Sequence, residues 1–92
     1  MIRFGKLDPA KGSAEFNPEL NRVTIDLDQL RRGPKWRRQL IALLAHELVH
    51  FFDWNIRYRC DAELWDRDTD VEEVRASRVQ EVILKALWYY DD

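Results

Sequence analysis

Cysteine is almost absent from this 92-residue sequence: Cys60 stands alone, so no disulfide can form within the chain. A domain this short often needs stabilisation beyond its core, and without a disulfide either packing or a bound metal must hold the fold together. Long apolar runs are lacking too, since the longest, residues 40–45, ends at His46 and is far shorter than the roughly 20 residues that span a bilayer. We therefore predict one domain, residues 1–92, with no membrane span.

An excess of charge of one sign is also lacking. The 15 Lys and Arg against 17 Asp and Glu give a net charge of −2, which argues against a nucleic-acid-binding protein that works by counterion release. We interpret the one local basic cluster as the solvated start of a helix; it comprises Arg31, Arg32, Lys35, Arg37 and Arg38. The first residues lack the apolar segment of a secretory signal, so we expect a cytoplasmic location.

Glycine and proline number three each and all fall within the first 34 residues of the chain. This distribution predicts strands and loops there and helices afterwards, which is an α+β fold. Residues 14–27 predict a β-hairpin because 23–27 alternate apolar with polar side chains and 17–21 have turn chemistry. Residues 2–4 predict a further short strand. We expect 23–27 to form the edge of this small antiparallel sheet.

Two long segments have the composition of helices. Residues 36–54 contain no helix breaker and are apolar around most of the circumference, which predicts a central, buried helix. Residues 70–90 place Val71, Val74, Val82, Ile83, Ala86 and Leu87 at steps of three and four, with acidic residues in the first turn. Residues 61–65 predict a short helical piece between the two.

The first long helix contains the pattern His-Glu-x-x-His, formed by His46, Glu47 and His50, which include both histidines of the chain. Residues four apart lie about 5.4 Å apart along a helix and on the same side, so the two imidazoles can bind one ion. Glu47 is offset by about 100° and can reach a water beside that ion as a proton acceptor. Two imidazoles and a carboxylate inside the most apolar helix would be costly without a partner, which favours a metal site.

A catalytic zinc needs a third protein ligand and an open position. The extended metzincin pattern is excluded, because Asp53 and Ile56 occupy the positions where it requires glycine and histidine. A carboxylate from the second long helix is the alternative, and both Glu72 and Glu73 are candidates, with Glu63 and Asp70 more remote. We choose Glu73, because the small residues Ala76 and Ser77 one turn later would let this face of the helix approach the first long helix closely. The alternative interpretation is that both glutamates are first-turn acids that stabilise the helix dipole.

Asp53 lies on the same helix face as both histidines, three and seven residues later. We expect its carboxylate to accept a hydrogen bond from the far nitrogen of a ligand imidazole and so to fix the tautomer. No oxyanion donor is identifiable from the pattern; Arg75, Tyr58 and Tyr89 are the groups to test.

These residues together resemble a family of metalloproteases that process an ATP synthase subunit in the mitochondrial intermembrane space. The resemblance is carried by residues 16–18 before the strand at 23–27, by the histidine motif with Asp53, and by residues 73–76. It implies a small zincin-like core with Glu73 as the third ligand, and it singles out Arg75 as a residue close to the site. Members of that family are longer and rich in cysteine, so we do not infer a mitochondrial location or the family's substrate for this chain.

We expect zinc-dependent hydrolysis of a peptide or protein substrate, with Glu47 as general base. Nickel, cobalt or iron would also suit the donor set. The alternatives are a metal-stapled interaction module without catalysis and a regulator that cleaves one specific partner. Residues 88–92 carry two acids that we consider as occupants of the open metal position. The sequence does not indicate an oligomeric state.

Overall fold

The structure, a computed structural model, describes residues 1–59 and 61–90, with side chains through residue 87. Three short strands come first, β1 (Ile2–Phe4), β2 (Ala14–Asn17) and β3 (Arg22–Ile25), followed by a short helix α1 (Leu27–Arg31). Two long helices, α2 (Trp36–Asp53) and α4 (Thr69–Tyr90), make up most of the rest. A π-helical turn (Trp54–Tyr58) and the short helix α3 (Ala62–Arg67) connect them. The expected α+β class is confirmed.

The sheet has the strand order β1-β3-β2. β2 and β3 form the predicted antiparallel hairpin, in register Phe16 to Val23, and Asn21 in its turn has a φ of +49°. β1 pairs parallel to β3, so the sheet is mixed. The expectation that residues 23–27 form the sheet edge is wrong, because β3 is the central strand. β2 is the edge strand on the other side.

The strand also ends earlier than residue 27, because Asp26 caps a helix. Its side chain accepts hydrogen bonds from the backbone N–H of Gln29 (3.2 Å) and of Leu7 (2.9 Å). These bonds satisfy free donors at the start of α1 and fasten the preceding loop to it. They also lower the pKa of Asp26, the bond from Leu7 having the largest effect. α1 was not predicted from the sequence.

α2 matches the predicted range to within one residue and is the central helix, in contact with β2, β3, α1 and α4. It is not buried around its whole circumference, because Ile41 is 48% and Phe52 is 54% exposed. Its buried positions include four polar residues, Arg38, Glu47, His50 and Asp53. The polar residues of α2 therefore face the interior of the domain at several points.

α4 also begins and ends close to the predicted positions. The interpretation of its apolar face is wrong in part, since Val71, Val74 and Val82 are all more than half exposed. Glu72 and Ala76 are buried instead, at 2% and 0% exposure. Because Ala76 has only a methyl group, α4 can pack closely against α2 at this position.

The apolar core lies between the sheet and α2. Val23, Ile25, Leu30 and Phe51 are buried in it, and half-buried residues of β2 and α2 surround them: Ala14, Phe16, Leu40, Leu43 and Leu44. The inward side chains of β3 thus meet one face of α2, which fixes the sheet against the helix that carries the histidine motif.

The connection between α2 and α4 is held by polar bonds and by aromatic packing. Asn21 and Asn55 exchange side-chain hydrogen bonds of 3.1 and 2.8 Å, which tie the hairpin turn to the π-helical turn. The hydroxyl of Tyr58 donates to Asp68 at 2.9 Å. Trp65 of α3 packs in T-shaped geometry against Tyr58 and Trp54, with ring centroids 5.6 and 5.1 Å away. α3 is thereby held against the end of α2.

Among the residues that the structure describes, none of the helices combines the length and the apolar character that a bilayer crossing demands. Arg31 and Arg37, from the predicted solvated basic cluster, are exposed and lie over the ring of Trp36 at 5.3 and 5.2 Å. Arg38 departs from that prediction, being only 7% exposed. Cys60 and the acids at residues 91 and 92 lie outside the described residues.

Candidate metal centre

The two histidines of α2 point to one place. The Nε2 atoms of His46 and His50 are 3.3 Å apart, and the ring planes meet at 68°. The i to i+4 spacing on one helix produces this arrangement, because both side chains leave the same face one turn apart. The expected juxtaposition of the two imidazoles is therefore found.

Glu73 of α4 reaches both histidines. Its Oε1 lies 2.8 Å from Nε2 of His50, and its Oε2 lies 3.4 Å from Nε2 of His46. The structure brings Glu73 to the histidines, as chosen from the sequence, whereas Glu72 points into the adjoining part of the cleft. Three donor atoms from two helices converge, all within 4.8 Å of one another.

The donor set and its spacing fit a small divalent ion. A tetrahedral zinc with bonds of about 2.0–2.1 Å holds its ligand atoms about 3.3 Å apart. The separations of 3.3 and 3.4 Å that involve His46 match this value, and the separation of 2.8 Å between His50 and Glu73 is somewhat shorter. Two imidazole nitrogens and one carboxylate oxygen are also a ligand set that zinc accepts.

Gln80, which was not predicted as a site residue, orients His46. Nδ1 of His46 lies 2.7 Å from Oε1 of Gln80 on α4. Since an amide oxygen can only accept, Nδ1 is the donor, and Nε2 keeps its lone pair for a metal. Gln80 therefore performs for His46 the function that was predicted for Asp53.

Asp53 does not make the expected hydrogen bond to an imidazole. Its Oδ2 accepts from Nη1 of Arg75 at 2.7 Å, which joins the end of α2 to the first half of α4. Nδ1 of His50 is buried without a hydrogen-bond partner among the described residues. Burial lowers the pKa of His50, even though the nearby Glu73 opposes this change. The neutral imidazole that metals bind is thus the favoured form.

Glu47 lies in the same cleft and is almost fully buried, at 9% exposure. Burial raises its pKa from 4.5 to about 7; the nearby His46 opposes this rise, and the negative charge on Glu73 adds to it. A carboxyl group with a pKa near neutrality can both accept and return a proton. The burial of Glu47 and its raised pKa therefore suit the acid–base function that the motif predicts.

The cleft beside the donor atoms has a volume of about 260 Å³ and opens between the sheet edge and α4. It is lined by Glu15 and Phe16 of β2, Glu47 and His50 of α2, Trp65 of α3, and Thr69, Glu72 and Glu73 of α4. Of the proposed oxyanion donors, Arg75 is paired with Asp53 and Tyr58 with Asp68, and neither lines this cleft. The side chain of Tyr89 lies outside the described part of the chain.

Four residues that line the cleft were not identified as site residues from sequence: Glu15, Phe16, Trp65 and Thr69. Phe16 and Trp65 form its aromatic walls, and Glu72 adds a second buried carboxyl group. Glu72 was considered only as a ligand or a first-turn acid. One signal was available, since Glu72, Ala76 and Gln80 recur at steps of four and mark one face of α4. No comparable signal exists for Trp65, because its position depends on how α3 folds back.

Comparisons with protein-family models, with curated proteins and with solved structures each find no match to this chain.

Proposed function

We propose that this protein is a zinc-dependent metallopeptidase. The observation that carries the proposal is the convergence of His46, His50 and Glu73, with Glu47 buried in the same cleft. A metal site that only stabilises the fold activates no water, so it has no need of a buried carboxyl group beside the metal. The resemblance to mitochondrial intermembrane-space metalloproteases, drawn from the motif, Asp53 and residues 73–76, favours the same activity.

His46, His50 and Glu73 would hold the ion. When bound, zinc supplies Lewis acidity that acidifies water and polarises a peptide carbonyl. Glu47 accepts the proton that water gives up as it attacks the carbonyl, and then donates it to the amine that leaves. Gln80 keeps the ring of His46 in the required tautomer during these steps.

The edge strand β2 is the part of the molecule best suited to hold an extended peptide. It pairs with β3 on one side, and residues Glu15 and Phe16 line the cleft. A peptide added to the free side as a further strand would be fixed by backbone hydrogen bonds. Peptide binding is thus assigned to β2 and not to residues 23–27, which were expected to form the sheet edge.

The variant Glu47→Gln tests the proposal. It keeps the shape of the side chain but cannot accept a proton, so we expect zinc content and melting temperature close to the wild type. Hydrolysis of an unstructured protein such as casein should fall by about 10²–10⁴-fold. The exposed Glu81 provides a matched control, because Glu81→Gln removes the same charge from a residue that does not line the cleft. Equal cleavage by wild type and Glu47→Gln would refute the mechanism.

A second candidate function is a metal-stapled interaction module. It is favoured by one observation: the donors come from α2 and α4, so an ion would cross-link two helices in a domain with a small core. Zinc binding without cleavage of any tested protein would support this alternative. A regulator that cleaves a single partner protein would also leave casein intact. Its Glu47→Gln variant would no longer cleave that partner, whereas an interaction module would be unaffected by the substitution.

A further inference from the structure

Glu72 has a carboxyl group that the proposed catalytic steps do not use. It is 2% exposed and lines the cleft, yet its Oε1 has no hydrogen-bond partner among the described residues. A buried carboxyl oxygen without a donor is costly, and native structures contain few of them. Such a group lacks a partner that a bound molecule would supply.

The charges around the cleft indicate what this partner is. Four of the residues that line it are glutamates, and none is lysine or arginine. Arg75 is near Glu72 but is engaged by Asp53 at 2.7 Å. A divalent ion would offset the charges of Glu73 and Glu47, which leaves Glu15 and Glu72 without compensation. A cation with N–H donors would supply both the missing hydrogen bond and the missing positive charge.

The walls of the cleft suit the rest of such a group. Phe16 and Trp65 lie in edge-to-face contact, with ring centroids 5.9 Å apart, and both line the cleft next to the glutamates. Aromatic rings attract ammonium and guanidinium groups and pack against the methylene stems of lysine and arginine. Charge and shape thus indicate the same ligand chemistry.

We propose that Glu72 is a specificity-determining residue that binds a cationic group of a peptide, an ammonium or a guanidinium, with Phe16 and Trp65 packed against it. This inference rests on the proposed function in one respect, namely that the ligand of the cleft is a peptide. The cation can come from a lysine or arginine side chain or from a free peptide amino terminus, and the experiment below separates these sources.

The test measures binding of labelled peptides to zinc-loaded Glu47→Gln protein by fluorescence anisotropy. The parent is an uncharged, N-acetylated peptide of about eight residues, and each relative has one residue replaced by lysine. We expect at least one lysine position to improve Kd by about tenfold or more over norleucine at that position. Acetylation of that lysine should abolish the gain. A gain from the unacetylated amino terminus alone would identify the terminal ammonium as the cation.

Adding Glu72→Gln to this protein should remove the preference for the cation, measured as the ratio of the Kd values of the norleucine and lysine peptides. Adding Glu81→Gln on the same helix, as the matched control, should preserve the preference. A preference that persists without the Glu72 charge, one that disappears only with Glu15→Gln, or no preference in any peptide would overturn the proposal. Because Glu72 is buried, Glu72→Met serves as a second variant; it needs no hydrogen bond and should also lose the preference.

Hydrolysis of the same peptides by the wild type separates this inference from the proposed function. Preferential binding of the cationic peptide without any cleavage would refute the peptidase activity and support the binding site. Cleavage of lysine and norleucine peptides at equal rates would support the activity and refute the specificity assigned to Glu72.

Discussion

His46 and Gln80 are joined by a hydrogen bond of 2.7 Å although they are 34 residues apart in the chain. One lies in the middle of α2 and the other in the middle of α4, so the bond ties the two long helices together beside the donor cluster. It also determines which nitrogen of His46 bears the proton. A single polar residue thus links helix packing to the state of the proposed metal ligand.

Replacing Gln80 with leucine should weaken zinc binding by about 10–100-fold, because the ring of His46 loses the acceptor that fixes its tautomer. Competition with a chromogenic chelator measures this affinity. Gln80→Glu keeps an acceptor at the same position and should bind zinc at least as tightly as the wild type. Gln39→Leu, an exposed change on α2, is the control for added apolar surface. Unchanged affinity in Gln80→Leu would show that the bond does not orient a ligand.

The neighbouring acids of α4 should behave differently when each is changed to glutamine. Glu73→Gln removes a donor 2.8 Å from His50 and should lower zinc affinity by about 100-fold or more. Glu72→Gln should bind zinc nearly as well as the wild type, because its carboxyl group is not in the donor cluster. Metal analysis after dialysis against a weak chelator distinguishes the two. Greater loss in Glu72→Gln would reassign the third ligand.

Glu72 should make the metal-free protein less stable as the pH rises. Burial raises its pKa from 4.5 to about 7, with the charge of Asp53 adding to the rise and that of Arg75 opposing it. The folded state therefore holds a proton, between about pH 4.5 and 7, that the unfolded chain releases. This contribution is fully present below pH 4.5 and is lost as the pH rises through 7, at a cost of up to about 3 kcal/mol.

Urea unfolding of the metal-free protein between pH 5 and 8 measures this effect. Glu72→Gln should resemble the wild type at pH 5 and exceed its free energy of unfolding at pH 8. Glu47 and His50 titrate in both proteins, so the difference between the two curves isolates Glu72. Parallel curves would mean that Glu72 ionises in the folded protein as it does in the unfolded chain.

Ala76 should control how closely α4 approaches the histidines. It is fully buried and lies one turn after Glu73, so Ala76→Leu must push the two helices apart. We expect a loss of about 1–3 kcal/mol in the free energy of unfolding together with weaker zinc binding. The exposed neighbour offers a control, since Ser77→Leu should change neither quantity. Lower stability with unchanged zinc affinity would show that the packing at Ala76 does not determine the positions of the donor atoms.

Local signals in the sequence were sufficient to predict the long helices and the hairpin. α2 and α4 were located to within one residue, since both are long and lack breakers. The His-Glu-x-x-His spacing predicted which side chains of α2 meet. Asp26 was misread as part of the alternating strand pattern, although a glutamine three residues later is a helix-start signal that was present.

The errors concern choices that depend on long-range packing. The valines of α4 have helical periodicity, but the face that packs is the one that carries Glu72, Ala76 and Gln80. Burying a carboxyl group in place of valines is unfavourable locally, so no propensity argument predicts it. Likewise, the pairing of β1 with β3 puts the hairpin's second strand in the middle of the sheet, and only tertiary contacts determine this order.

The free side of β2 has a consequence for association between copies of the chain. A strand with unpaired backbone groups is a template for any extended segment, including the same strand of a second molecule. β2 has only four residues, and Pro18, which lacks an N–H group, follows it directly. A further strand that pairs with β2 can therefore form only a few backbone hydrogen bonds. This limits fibrillar association through β2 but still allows a short peptide to bind.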